Sequence, residues 1–368
     1  MNILYVANLR LPTEKAHGIQ IMKACEAFAR LGHSVELLVP ARRNPIKQDP
    51  FSYYALKTKF SINLLFVPDT VGWGRLGFIF QSVWFGFAVS FYAGKHDANM
   101  GDSRDEMVLA VASFFTNKKI LWESHDGASN VWARRLLRRI SGLIVVTPLA
   151  ADFYATRGMQ REKILTVSNG LDLEDFANPE SKETARSRLG LPQDKKIALY
   201  IGRLDGWKGA DTLLEASHLL PADIRVAIIG GETQQIAKLS KQYREVSFLG
   251  FRPYAELPHN QAAADVLVVP NTGKDPVSVS FTSPLKLIAH LASDRPIIVS
   301  DLPSTRFIAE GAALFVLPDN PEELARGIEK VLASPELSQN LSQKGRARVL
   351  NFSWTKRAER ILNFVSRF

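Results

Sequence analysis

Ile201-Gly202-Arg203-Leu204-Asp205-Gly206-Trp207-Lys208-Gly209 (IGRLDGWKG) is the stretch from which the organisation of this chain can be read. The apolar run before it, residues 196–200 (KIALY), reads as a buried strand, and residues 210–220 after it have the spacing of an amphipathic helix. A strand, a glycine-marked turn and a helix start together form an anion site, because strand-end backbone and the positive end of the helix dipole meet there. Arg203 and Lys208 flank the turn. Arginine offers a planar fork and lysine a mobile point charge, a pair better suited to a diphosphate than to a single carboxylate. Read alone, the same two residues are equally well two solvated charges in a surface loop.

Outward from this stretch the pattern repeats. Residues 226–230, 266–269, 296–300 and 314–316 read as further strands of the second half. In the first half, residues 2–7, 34–40, 62–67, 120–123, 143–147 and 164–167 read as strands, and 18–30, 105–115, 131–140 and 149–157 as helices. Strands alternating with helices of this length imply parallel βαβ units and an α/β doubly wound sheet. Residues 182–195, charged and carrying Gly190 and Pro192, read as a linker zone. The expectation is two Rossmann-like domains, 1–180 and 181–352, facing a central cleft at their strand C-terminal edges. Residues 353–368 read as an amphipathic helix that closes the chain and crosses back to the first domain.

Composition narrows the class. A chain of 368 residues exceeds one ordinary core, and nothing in its 46% hydrophobic and 23% charged content suggests disorder. The single cysteine, Cys25, lies in a helical pattern and reads as a core residue rather than a nucleophile; one cysteine excludes an internal disulfide framework and suits a reducing cytoplasm. Met1 runs directly into a strand-like segment, so no secretory signal is expected. The net charge of +9 is uneven: through Thr166 there are 21 Lys and Arg against 13 Asp and Glu, and the remainder is nearly balanced. Arg134, Arg135, Arg138 and Arg139 recur at helical spacing and form a basic face suited to an anionic partner or simply to water. Residues 76–94 carry no charge over a length near that of a bilayer span. Their glutamine, serines and glycines, and the flanking βαβ pattern, favour a helix buried against the sheet, with partial exposure at a membrane surface as the alternative.

Several common chemistries lack their signatures. There is no G-x-G-x-x-G after the first strand, no G-x-x-x-x-G-K-[ST], no G-x-S-x-G, no Asp-x-Asp and no H-E-x-x-H. A metal-bridged diphosphate is therefore unsupported, and protein cations and helix ends would have to meet the charge. Three more segments join Arg203 and Lys208. Residues 11–19 end in Gly18 at a helix start, where backbone N–H groups can approach an anion. Residues 122–127 (WESHDG) place His125 just beyond a strand, at the sheet edge where α/β sites form. Residues 281–287 (FTSPLKL) open a helix with Pro284 and bring a third cation, Lys286.

In order and spacing these segments resemble the GT4-type retaining glycosyltransferases of GT-B fold, over nearly the whole chain. The resemblance rests on RLPTEKAHGIQIMKACEAFARLGHSVELLVP, SRDEMVLA, ILWESHD, VSNGLDLEDF, YIGRLDGWKGADTLLEA, VSFLGF, ADVLVVP, SPLKLIAHLASDRPIIVSDLPS and FSWTKRAERIL. It implies a nucleotide-diphosphate sugar donor held mainly by the second domain and an acceptor held mainly by the first. Arg203 and Lys208 match the family's diphosphate pair, Gly18 the loop glycine that meets the donor phosphate, and His125 the histidine near the transferred sugar. Residues 246–251, with Gly250 and Phe251, match the segment framing the base, and Ser283, Lys286 and Leu287 match the donor-side helix entry. The implied chemistry stabilises the departing diphosphate with cations and N–H dipoles. It needs no carboxylate nucleophile, no cofactor beyond the nucleotide-sugar co-substrate, and no metal.

One departure stands out. Where the family commonly has two glutamates eight positions apart, this chain has Phe281 and Ala289. The second normally accepts hydrogen bonds from the donor ribose, and losing a charged acceptor costs on the order of 1.5–3 kcal/mol. The resemblance thus implies a hexosyltransferase, expected in the cytoplasm, and the basic N-terminal half with residues 76–94 suggests a peripheral place at the inner membrane face. Its acceptor would be a glycan or lipid-linked polysaccharide precursor, as in cell-envelope biosynthesis, with no nucleic acid partner. Two alternatives remain: a catalytically degenerate nucleotide-sugar-binding or scaffold protein, suggested by Ala289, and a nucleotide-sugar epimerase, for which Glu123 and Asp126 are the available acid and base.

Overall fold

The computed structural model describes residues 1–96, 100–116, 118–204 and 206–368; Asp205 of the opening stretch lies outside the described residues. Contacts divide the chain into two units, Met1–Ser168 with Trp354–Phe368, and Asn169–Ser353. The division falls between Ser168 and Asn169 rather than near residue 180.

The first unit is built on seven strands: β1 (Asn2–Val6), β2 (Ser34–Pro40), β3 (Ser61–Leu65), β4 (Met100–Ser103), β5 (Lys119–Ser124), β6 (Gly142–Val145) and β7 (Ile164–Thr166). They pair in parallel in the order β3-β2-β1-β4-β5-β6-β7, so the order reverses between β1 and β4. Helices cover both faces, which is why β1 is a continuous apolar run and not an alternating one. The helix Ala16–Arg30 buries Ile21, Met22, Cys25 and Phe28, confirming Cys25 as a core residue, and ends before Gly32 in the left-handed region. β4 is the strand that periodicity misses: it reads Met-Gly-Asp-Ser and buries Asp102 and Ser103, so it has neither an apolar run nor an alternation. The closing helix Trp354–Val365 belongs to this unit and buries Trp354, Arg357, Ile361 and Phe364 in it.

The long helix Gly74–Lys95 departs from the expectation of simple burial. Its inward face is made of small and polar residues, among them Gly77, Gln81, Ser82, Gly86 and Ser90, with Phe85 and Val89 reaching the core beside Val6 and Leu38. Close approach explains the small residues: a Cβ on Gly86 would come within 2.7 Å of Val111. The large apolar residues therefore face outward. By length and composition alone the helix could cross a membrane, but its inner face is already packed on the sheet.

The second unit has six parallel strands: β8 (Lys196–Ile201), β9 (Ile224–Ile229), β10 (Val246–Phe248), β11 (Val266–Val269), β12 (Ile297–Ser300) and β13 (Leu314–Val316), in the order β10-β9-β8-β11-β12-β13. Here the order reverses between β8 and β11. β10 is three residues long, too short to show a period, and was not among the strands expected. Residues 182–195 are not a linker. Lys182–Leu189 is a helix capped by the Ser181 side chain on the Thr184 N–H and ended by Gly190 in the left-handed region. Ala185, Leu189 and Leu191 pack with Ile197, Leu199 and Leu267 of the sheet.

Candidate functional site

In an open parallel sheet the crevice for a ligand lies beyond the strand C-termini where the order reverses. In the second unit that place is the end of β8 beside the end of β11, where residues 201–209 lie. Two glycines make it possible. Gly209 has φ +66°, and a Cβ there would stand 1.8 Å from the Pro270 carbonyl oxygen just after β11. Gly230, after β9, has φ +124°, and its Cβ would stand 2.0 Å from the Gly202 carbonyl oxygen. Only glycine allows these backbones to touch, and the Thr272 N–H completes the junction by donating to the Trp207 carbonyl at 3.2 Å.

The cations sit on this frame. Tyr200 donates its hydroxyl to the Arg203 carbonyl at 2.6 Å, fixing the turn, while the Arg203 side chain is exposed. The Lys208 ammonium lies 3.4 Å from the Trp207 ring centroid and the Lys286 ammonium 4.3 Å from that of Tyr200. The Lys286 Nζ is removed from solvent with no hydrogen-bond acceptor among the described residues. Burial first, and Lys208 second, hold it well below the ordinary lysine range. A buried ammonium without an acceptor is costly, and an arriving anion would relieve that cost.

The other expected residues differ in standing. Gly250 has φ +70° and its carbonyl accepts from the Gly230 N–H at 2.8 Å, joining it to the same frame. Phe251 is 68% exposed. Ser283 is buried: its Oγ accepts from the Asn169 N–H at 3.2 Å and its carbonyl from the Asn169 side chain at 2.9 Å. Leu287 is a core residue whose N–H donates to the Pro284 carbonyl at 3.0 Å, so its part is to pack the helix that carries Lys286. Ala289 is buried and offers no acceptor. His290 beside it is fully buried, its Nδ1 accepting from Gln261 at 2.8 Å, and burial holds it neutral with a pKa of about 3. Sequence reading missed Asn271. It is fully buried two residues beyond β11, and neither side-chain polar atom has a partner among the described residues. The signal available was a polar residue one proline beyond a wholly apolar strand.

In the first unit the order reverses at β1 and β4, and the Asn8 N–H donates to Asp105 Oδ2 across that point at 2.7 Å. Gly18 carries a packing requirement besides the role expected of it. The helix starts at Ala16, and the Gly18 N–H already donates to the Lys15 carbonyl at 3.0 Å. A Cβ on Gly18 would stand 2.3 Å from the Tyr54 hydroxyl, which clamps both backbone groups of Thr13. Gly18 thus admits Tyr54, and the loop it ends is held by that tyrosine.

His125 follows β5, and its Nε2 donates to Glu123 Oε2 at 3.2 Å. Glu123 is fully buried, 2.8 Å from Arg357 Nη2 and 3.4 Å from Arg104 Nε. Burial would raise the Glu123 pKa, but Arg357, the His125 hydrogen bond and Arg104 hold it well below the usual range. Asp102, also buried, is pushed well up by burial and by the Glu123 charge. Burial and Arg104 hold His125 down to about 4. It is therefore a neutral imidazole with Nε2 protonated and Nδ1 as the acceptor, a state able to take a hydrogen bond from a hydroxyl. Asp102, Arg104 and Arg357 were not singled out from sequence; Arg357 lies 234 positions from Glu123. Among the described residues no group of three or more His, Cys, Asp or Glu could hold a metal ion.

Comparison with known proteins bears on this architecture. Residues 181–348 match the family model for glycosyl transferases group 1. A D-inositol 3-phosphate glycosyltransferase from Streptomyces bingchenggensis is 30% identical over 220 residues, covering 55% of this chain and 47% of that protein. The chain spans about half the length of the curated relatives it matches. Among solved structures, sucrose-phosphate synthase from Thermosynechococcus elongatus matches 100% of this chain and 98% of its own with a TM-score of 0.79 at 22% identity. Anabaena HepE in complex with UDP and glucose matches 100% of both chains with a TM-score of 0.78 at 19% identity. Residues 181–348 are therefore similar to the glycosyl transferases of group 1, and the two parallel-sheet units have the GT-B fold.

Proposed function

We propose that the protein is a retaining, metal-independent hexosyltransferase that takes a sugar from a nucleotide-diphosphate sugar and passes it to a lipid-linked or polysaccharide-precursor acceptor in the cytoplasm. The observation that carries the reading is the buried Lys286 ammonium, set with Lys208 and Arg203 on a glycine-built backbone junction at the β8–β11 reversal. In the proposed reaction the bond from the anomeric carbon to the diphosphate breaks, and the phosphate oxygen keeps the electron pair. The acceptor hydroxyl oxygen bonds to the anomeric carbon on the same face, and its proton passes to the departing phosphate. Arg203, Lys208 and Lys286 stabilise the charge that develops, which is where preorganised cations contribute most. Neutral His125 would accept a hydrogen bond from a sugar hydroxyl. UDP and glucose in the HepE complex support a donor of this class.

Ala289 favours one second reading, a protein that binds the nucleotide sugar without transferring it. Glu123, one of the two residues an epimerase would use, is buried and paired with Arg357, which weighs against that alternative. Calorimetry with UDP, GDP and ADP, followed by release of free nucleotide from the matching nucleotide sugars, tests the proposal. One nucleotide should bind, and Arg203→Ala should weaken it about tenfold or more while leaving the fold intact. Absence of binding to all three would defeat both readings, and binding without turnover on any lipid or glycan acceptor would select the second.

A further inference from the structure

The outward face of the helix Gly74–Lys95 carries Leu76, Phe80, Trp84, Phe87 and Phe91, which are between 45% and 80% exposed. The patch continues past the helix. The Phe87 ring stands 5.4 Å from that of Phe115, and beside it Phe114 lies 3.8 Å beneath the Arg139 guanidinium. Arg139 is anchored by its bond to the Ser113 carbonyl, and Phe114, Arg135, Arg138 and Arg139 line a pocket of about 450 Å³. At the end of the helix Lys95 covers the Phe91 ring at 4.1 Å. The sequence segments 70–96, 107–116 and 127–141, which carry these aromatic and arginine residues, contain no Asp or Glu. An aromatic surface of this extent on a domain is not left to water without reason.

We infer that this face is a docking surface for an anionic phospholipid bilayer, the aromatic rings entering the interfacial layer and the arginine pocket taking a lipid phosphate. Aromatic side chains beside clustered cations suit the boundary between headgroups and acyl chains, and guanidinium forks suit phosphate oxygens. Charge argues against a second copy of the chain, because a two-fold contact through this face would set cations against cations. The inner face of the helix stays on the sheet, so the helix lies along the bilayer and does not cross it. The inference uses none of the donor-site residues, so its failure leaves the transferase reading untouched.

The test is co-sedimentation of the full chain with vesicles of phosphatidylcholine alone or with about 30% phosphatidylglycerol. Binding is expected only to the anionic vesicles, with quenching of Trp84 by brominated lipid that Trp84→Phe reduces. The exposed triple variant R135E/R138E/R139E should lower the partition coefficient about a hundredfold. F87S/F91S should lower it about tenfold or more, and both variants should bind nucleotide as the parent does. Failure of the parent protein to bind, equal binding to neutral vesicles, or undiminished binding by the triple variant would overturn the inference. So would full release by millimolar inorganic phosphate at constant ionic strength, which would assign the pocket to a free anion, or a dimer dispersed by F87S/F91S.

Discussion

The two units build the C-terminal edges of their sheets from different materials. At the β8–β11 reversal the second unit uses backbone: Gly209 against Pro270, Gly230 against Gly202, with cations at the margin and a buried ammonium left without an acceptor. At its sheet edge the first unit uses buried charge: Glu123 set among Arg357, Arg104 and His125, with buried Asp102 alongside. The second unit's edge keeps a buried ammonium without an acceptor; at the first unit's edge opposite charges meet, though both Asp102 oxygens and Glu123 Oε1 lack a hydrogen-bond partner among the described residues. Substitutions in the first should therefore be read out as stability, and substitutions in the second as binding.

The largest effect expected is from Arg357→Ala. Removing one partner of a buried ion pair leaves the other charge uncompensated and costs about 3–5 kcal/mol. Urea denaturation should show that loss, and Arg357→Met combined with Glu123→Gln should recover much of it because the stranded charge is gone. A loss below about 1 kcal/mol would mean that Arg104 and His125 suffice for Glu123, and the contrast between the two edges would weaken. Arg203→Ala, on an exposed side chain, should by contrast change stability by less than about 0.5 kcal/mol.

Lys286→Met sharpens the contrast from the other side. Replacing an ammonium that has no acceptor by an apolar chain of similar length should stabilise the ligand-free protein by roughly 2–3 kcal/mol. The same change should weaken nucleotide diphosphate binding about tenfold or more. Gain of stability with loss of affinity is the signature of a group held for a ligand. Neutral effects on both, by denaturation and calorimetry, would return Lys286 to the status of a packing residue.

The same difference explains what could be read from the chain. The backbone-built edge is written locally: strand, glycine turn, cation and helix follow one another within residues 196–220, and that order survived in the structure. The charge-built edge is assembled from β4, β5 and the closing helix, so Glu123 and Arg357 meet only in three dimensions. Asp102 even hid its own strand, because a buried carboxyl breaks the apolar run by which strands are recognised. Gly18 shows a subtler case. A glycine at a helix start suits an approaching anion and equally a tyrosine packed over it, and that tyrosine, Tyr54, comes from outside the local segment.

Asp105 offers the smallest and most specific test, because it holds the β1–β4 reversal with charge where the second unit holds its own with glycine. Burial first raises its pKa to about 6, against the pull of the Asn8 N–H. A carboxyl with a raised folded-state value binds its proton more tightly in the native protein. Its contribution is therefore full below the unfolded-state value near 4 and is lost as pH rises through about 6. Asp105→Asn keeps an acceptor for Asn8 and removes the titration. The variant should match the parent below pH 4 and exceed it in stability by roughly 1–2 kcal/mol above pH 7, allowing for the partial exposure of the side chain. Denaturant titrations across this range check the sign. A difference that does not change with pH would show that Asp105 ionises as it would in water, and the first unit's reversal would then be no more charge-dependent than the second's.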